Sequence, residues 1–169
     1  LGKHATHAWV VADRESVIAR GGGFTTGHER NQSSFRPEGF AIVAGLEFLS
    51  YHATRLDIPT NTIKPMIYTD SESVLSILVH RQRKEDNEDL REKLWKAVDA
   101  FDASWDHVKA HQDDTNPIEE LSYQAQLNVL ADKTASEIQN QDSPTVDIPD
   151  RPTILIDNKM VTSKPARTV

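Results

Sequence analysis

The chain has 169 residues, 37% hydrophobic and 27% charged, which suits one globular domain with a core and a tail. It has no cysteine, excluding a disulfide framework and any thiolate metal site, and no apolar run reaches the ~18 residues that span a bilayer. The net charge of −7 weighs against a broadly basic nucleic-acid face, but a carboxylate metal site beside a local basic patch is compatible with it.

No signal peptide is visible at the start. His7–Ala12 and Ser16–Phe24 are rich in strand-forming residues and are joined by a short polar stretch, which predicts a hairpin. Gly21, Gly22 and Gly23 permit a bulge or bend. Residues 25–34 read as loop. Pro37 opens a helix, since its missing N–H would be unbonded in the first turn. Ile42, Leu46, Leu49, Ala53 and Leu56 form its apolar stripe. Lys64–Thr69 is a short buried strand, residues 71–84 a helix ending in positive charge, and residues 85–87 start another. That helix has its stripe at Leu90, Leu94, Ala97 and Phe101. Ser104–Ala110 reads as a strand, 111–120 as a polar loop, and 121–138 as a last helix with Leu127, Ala131, Thr134 and Ile138 on one side.

Near Asn140 the composition changes to a Pro/Asp-rich linker, followed by a small hairpin turning at Asp157, Asn158 and Lys159. This predicts a domain at 1–139 and a linker with a hairpin or tail at 140–169. The order β-β-α-β-α-α-β-α is that of a mixed α/β domain.

Several polar residues fall at topologically related places. Glu38 lies in the first turn of the first long helix. Asp70 ends the Met66–Thr69 strand. Asn128 and Asp132 are one turn apart on the last helix, and His111 follows the Ser104–Ala110 strand. Sites in α/β sheets gather beyond the carboxyl ends of parallel strands. Each residue also has an ordinary reading. Glu38 suits a helix dipole, Asp70 or Ser71 could cap the next helix, Asp132 could be a solvated helix residue, and His111 a surface histidine. Their joint occurrence in this order carries more weight than any one of them.

Three blocks, "SSFRPEGFAIVAGLEFL", "MIYTDSESVL" and "VKAHQDD…LNVLADKTA", resemble successive blocks of ribonuclease H domains. The version attached to reverse transcriptases in retrotransposon-like elements is the most similar. The resemblance runs from about His7 to Ile138. It implies a ribonuclease H-like mixed sheet with helices on both faces. It also implies an intracellular, two-metal endoribonuclease that cuts the RNA strand of an RNA–DNA hybrid, fused to a reverse transcriptase in the full-length protein and not associated with a membrane. Such chemistry needs clustered hard oxygen ligands for Mg²⁺ or Mn²⁺. The resemblance implies Glu38, Asp70 and Asp132 as metal ligands, and His111 as a proton-handling group beside them. Asn128, Ser71 and Arg36 would contact substrate, with Asn128 reaching a ribose 2′-hydroxyl.

One part of the family's pattern is missing. Its sheet begins with a central strand that carries an Asp, and nothing before His7 matches it. Asp13 lies in the hairpin turn and does not take that role. The chain starts at Leu1, as a fragment cut just after that strand would. The expectation is an open central slot in the sheet and little or no activity from these residues alone. Alternatively, Thr153–Asp157 folds into the slot and Asp157 supplies the carboxylate. His80–Lys84, with Lys64 and Lys109, would form a phosphate-facing patch or a solvated helix end, while Trp9, Trp95 and Trp105 follow core periods. A non-catalytic nucleic-acid-binding or structural relic of the fold is the competing reading.

Overall fold

The computed structural model describes residues 5–25, 34–82 and 86–141, and the backbone of 154–156 and 159–161. Its elements are β1 (Thr6–Ala12), β2 (Val17–Phe24), α1 (Phe35–Arg55), β3 (Met66–Thr69), α2 (Glu72–His80), α3 (Glu88–Phe101), β4 (Ser104–His107), α4 (Tyr123–Asn140), β5 (Ile154–Ile156) and β6 (Lys159–Val161). This is a mixed α/β, ribonuclease H-like order. The expected turn of the last hairpin, with Asp157, lies outside the described residues. Its flanking strands β5 and β6 pair antiparallel, with Leu155 opposite Met160.

β1 and β2 form an antiparallel hairpin whose register slips between Val11 and Ala12. Asp13 closes it. Its Oδ1 accepts hydrogen bonds from the Glu15 and Ser16 amides at 2.8 and 2.7 Å, the local turn chemistry that Asp favours. These bonds hold its exposed carboxyl below its ordinary pKa.

Successive side chains of the hairpin alternate between two helices. On one face the Trp9 ring lies 4.9 Å from Phe48 of α1, and His7 lies 5.7 Å from Phe40. The Trp9 indole extends across Gly21, where a β-carbon would come within 2.5 Å of the ring. On the other face Arg20 donates to Thr134 of α4 at 3.1 Å and pairs with Glu137 at 3.4 Å. A β-carbon at Gly22 would overlap the His7 carbonyl oxygen and sit 2.7 Å from Ile138 of α4. The hairpin therefore has a helix on each face.

β3 and β4 are parallel, with Ile67 opposite Trp105 and Tyr68 opposite Asp106. Ile67 and Thr69 point into the core, whereas Met66 and Tyr68 are exposed. The core gathers Phe35, Val43 and Leu46 of α1, Val74 and Leu78 of α2, and Leu90, Leu94, Val98 and Phe101 of α3. Trp95 and Trp105 pack against it, and the Trp95 indole N–H donates to the Ile77 carbonyl at 3.1 Å. A smaller cluster of Val108, Leu121 and Ala125 seats the start of α4.

Two helical stripes depart from the simple period. Leu56 is 68% exposed because α1 ends at Arg55 and the chain turns through a left-handed Asp57. α3 buries Val98 more deeply than Ala97. β4 is also shorter than expected and stops at His107.

The β1–β2 and β3–β4 pairs are separate two-stranded sheets with no hydrogen bonds between them. Among the described residues no strand joins them, so β1 and β3 each have one unpaired edge. α4 packs on β1 and β2 and also touches β3. Every residue of β1 remains only half-buried although α1 and α4 lie on it. An unpaired edge leaves backbone N–H and C=O groups open to another strand, which fits the expectation of an open place in the sheet.

Candidate active site

Of Asp70 and Ser71, Ser71 takes the capping role. Ser71 is the N-cap of α2, in extended geometry, and its hydroxyl accepts from the Val74 amide at 3.4 Å. It also shares a 2.9 Å hydrogen bond with Ser73, so its hydroxyl is engaged within its own helix turn. Asp70, relieved of capping, is half-buried at the end of β3. Its Oδ2 accepts from Asn128 Nδ2 of α4 at 3.2 Å, tying two elements that are 58 residues apart.

Glu38 is half-buried in the first turn of α1, with Ser34 at the N-cap. Its carboxyl is pushed up to about 7, first by burial, then by the negative charge of Asp70, then by that of Asp132. Asp132 reaches solvent, yet the protein atoms crowding it raise its pKa. Asp70 and Asp113 add to the rise and His111 opposes it. Three separate elements thus bring Glu38, Asp70 and Asp132 into one another's field, with His111 close enough to offset part of the charge. His111 is exposed and left-handed (φ 51°), at the start of a short 3₁₀ turn, Gln112–Asp114.

Arg36 departs from the expected substrate contact. It is 5% exposed and faces α3, donating to Asn87 Oδ1 at 2.7 Å and pairing with Asp89 at 3.4 Å. It also sits 5.2 Å from the Phe40 ring. Burying a guanidinium is costly unless its donors are used, and here they bind α1 to the N-terminus of α3. Two members of the basic patch are engaged with carboxylates, Arg81 with Asp99 at 2.5 Å and Lys64 with Asp102 at 3.1 Å. Arg83 and Lys84 lie outside the described residues.

The donor set of three carboxylates suits a hard divalent cation chemically, and the part of the Glu38 and Asp132 pKa rise that comes from neighbouring negative charge, after burial, is repulsion that a cation would relieve. Among the described residues, however, no three His, Asp or Glu side chains converge closely enough to hold a metal ion.

The raised Glu38 pKa makes stability depend on pH. In the metal-free fold Glu38 keeps its proton at pH values where the unfolded chain, with its ordinary value of 4.5, has lost it. Stability is full below the unfolded value and falls as pH rises towards about 7, by up to about 3 kcal/mol at 1.36 kcal/mol per unit. Glu38→Gln should flatten that fall. Urea unfolding in EDTA across this range measures it, and an identical decline in both proteins would show that Glu38 ionises normally.

Sequence reasoning passed over some residues beside the cluster. Tyr68 is two positions before Asp70 on β3, so it shares its strand face. Gln124 is one turn before Asn128 on α4, which continues the Gln124–Asn128–Asp132 row. Both line a cleft of about 370 Å³, together with Asp106, Lys109 and Gln112. The same two spacings, counted back from Asp70 and Asn128, were the signal that could have found them.

No protein-family description matches the chain, and no curated protein does. Among solved structures, the crystal structure of the native protease–reverse transcriptase of prototype foamy virus is similar over 80% of this chain, at 16% identity and a TM-score of 0.46. The chain spans 20% of the length of that protein.

Proposed function

We propose that the chain is the larger part of an RNA–DNA hybrid endoribonuclease domain that works with Mg²⁺ or Mn²⁺ and belongs to a polyprotein with a reverse transcriptase. The observation that carries this reading is that the charge of Asp70 acts on both Glu38 and Asp132, and that of Asp132 on Glu38, with α1, the end of β3 and α4 supplying the three in the order that the sequence resemblance implies.

Glu38, Asp70 and Asp132 would hold the metal. A bound metal there would supply activation of the attacking water and stabilisation of the leaving oxygen. The chain's own groups position the rest. Asn128 gives its N–H to Asp70, which leaves its carbonyl oxygen to accept a hydrogen bond from a ribose 2′-hydroxyl, the group that separates RNA from DNA. His111, on an exposed turn and near enough for its charge to act on Asp132, would take or return a proton at the edge of the cluster. The −7 net charge makes substrate binding depend on metal and local contacts rather than on a basic surface.

The lack of three converging ligands among the described residues favours a second reading, a nucleic-acid-binding relic. A cleavage assay with Mg²⁺ separates the two. It compares the 169-residue chain with a version extended N-terminally along its own reading frame. The nuclease reading expects cleavage of hybrid RNA by the longer form and little from the shorter. Robust cleavage by the shorter form would overturn the need for a further strand. A longer form that binds hybrid without cutting it would favour the relic.

A further inference from the structure

The cleft beside the carboxylate cluster has features the proposed chemistry does not use. Tyr68, 40% exposed, lines it. Among the described residues neither the Tyr68 hydroxyl, the Lys109 ammonium nor the Gln124 amide makes a hydrogen bond or ion pair, so all three remain available to a ligand. Gln112 is partly committed, donating to the Lys109 carbonyl at 2.9 Å. Asp106 opposite Tyr68 accepts its neighbour's amide at 2.8 Å through one oxygen, leaving the other open to an N–H donor.

Aromatic ring, cation, amide and carboxylate acceptor together match the parts of one nucleotide. A base stacks on an exposed ring, and such stacking is tolerant of base identity. A phosphate suits a flexible lysine as a point charge. An exocyclic amino group suits a carboxylate or amide oxygen. The volume of about 370 Å³ falls within the range of small-ligand sites. The cleft also continues the carboxylate site, because Tyr68 and Asp70 share a strand face while Gln124, Asn128 and Asp132 share a helix face.

We propose that this cleft is a nucleotide subsite that seats one residue of the strand next to the carboxylate cluster, with Lys109 on its phosphate and Tyr68 under its base. In an intact strand this rests on the proposed function. A free mononucleotide has the same chemistry and would bind without it.

The test is a two-dimensional amide NMR titration of the isotope-labelled chain in EDTA, so that nothing is cut. One arm uses adenosine 5′-monophosphate and the other a short RNA–DNA hybrid. Both ligands should shift the amides of Tyr68, Lys109 and Gln124, and the hybrid should also shift those of Asp70 and Asn128. Lys109→Gln and Tyr68→Ala, both at exposed positions, should each weaken the cleft response about fivefold or more. Lys64→Gln, away from the cleft, should not.

A hybrid that shifts Asp70 and Asn128 but leaves the cleft still would overturn the subsite and spare the nuclease reading. A cleft that takes the mononucleotide while the hybrid leaves Asp70 still would do the reverse. No response to either ligand up to millimolar concentrations would overturn the subsite. Unchanged affinity in both cleft variants, with well-dispersed spectra showing that they fold, would do the same.

Discussion

Asp70→Asn should lower hybrid cleavage by the N-terminally extended protein by about a thousandfold or more, the several kcal/mol that a metal-held charge contributes in phosphodiester hydrolysis. The substitution is nearly isosteric. It keeps an oxygen that can accept from Asn128, and it leaves the α2 cap untouched, because Ser71 provides that cap. Stability should therefore change by less than about 1 kcal/mol. Loss of rate without loss of fold would distinguish a ligand from a structural carboxylate. A second readout is independent of catalysis. Asp70 is the first-ranked charge acting on Glu38 and on Asp132, so both carboxyls should titrate at lower pH in the variant. Cleavage within tenfold of the parent, with unchanged titrations, would remove Asp70 from the site.

Leu94→Ala should cost about 2–5 kcal/mol of unfolding free energy, the range for emptying a leucine site that cannot collapse. Leu94 is 0% exposed at the centre of α3, in one cluster with Phe35, Val74, Leu78 and Leu90 from α1, α2 and α3. Three helices fix its surroundings, so relaxation would be limited. Leu56→Ala is the internal comparison. Leu56 continues the apolar stripe of α1 but is 68% exposed beyond the helix end. Its loss should stay within about 0.5 kcal/mol. Urea midpoints of the two variants measure both. A Leu94→Ala cost under 1 kcal/mol would mean that the helical core is far more plastic than its burial implies.

The contrast between those leucines shows what was legible in the sequence. Periodicity placed the helices and identified Leu46, Leu90, Leu94 and Phe101 as core, because each lies inside a regular helix. It failed at Leu56, where a left-handed Asp57 followed by Pro59 had already ended the helix. It placed the start of α1 at Pro37, two residues late, because proline is tolerated throughout a first turn whose N–H groups are unbonded.

The proximity of the candidate residues was legible from the order of the motifs. Glu38, Asp70, Asn128 and Asp132 are brought near one another as their order suggested. Arg36 was not legible. A charged residue beside Glu38 reads as exposed, and only Asn87 and Asp89, about fifty residues away, make its burial tolerable. The cleft residues were equally hidden, since nothing about Tyr68 or Gln124 is unusual until Asp70 and Asn128 have been placed.

α4 has a further consequence. This single helix touches both sheets and carries Asn128 and Asp132, yet of its 18 residues it fully buries only Ala125 and Thr134. It packs along β1 and β2 mainly through half-buried side chains, with a small cluster at its start and Arg20 bonded to Thr134 further along. Elements with few fully buried side chains open locally at a lower free energy than the core. Repulsion between Asp132 and Asp70 adds to that tendency wherever both are ionised. A divalent ion seated among the carboxylates would then act as a rivet, and metal supply would set the temperature at which the protein stops being an assembled site while remaining a folded domain.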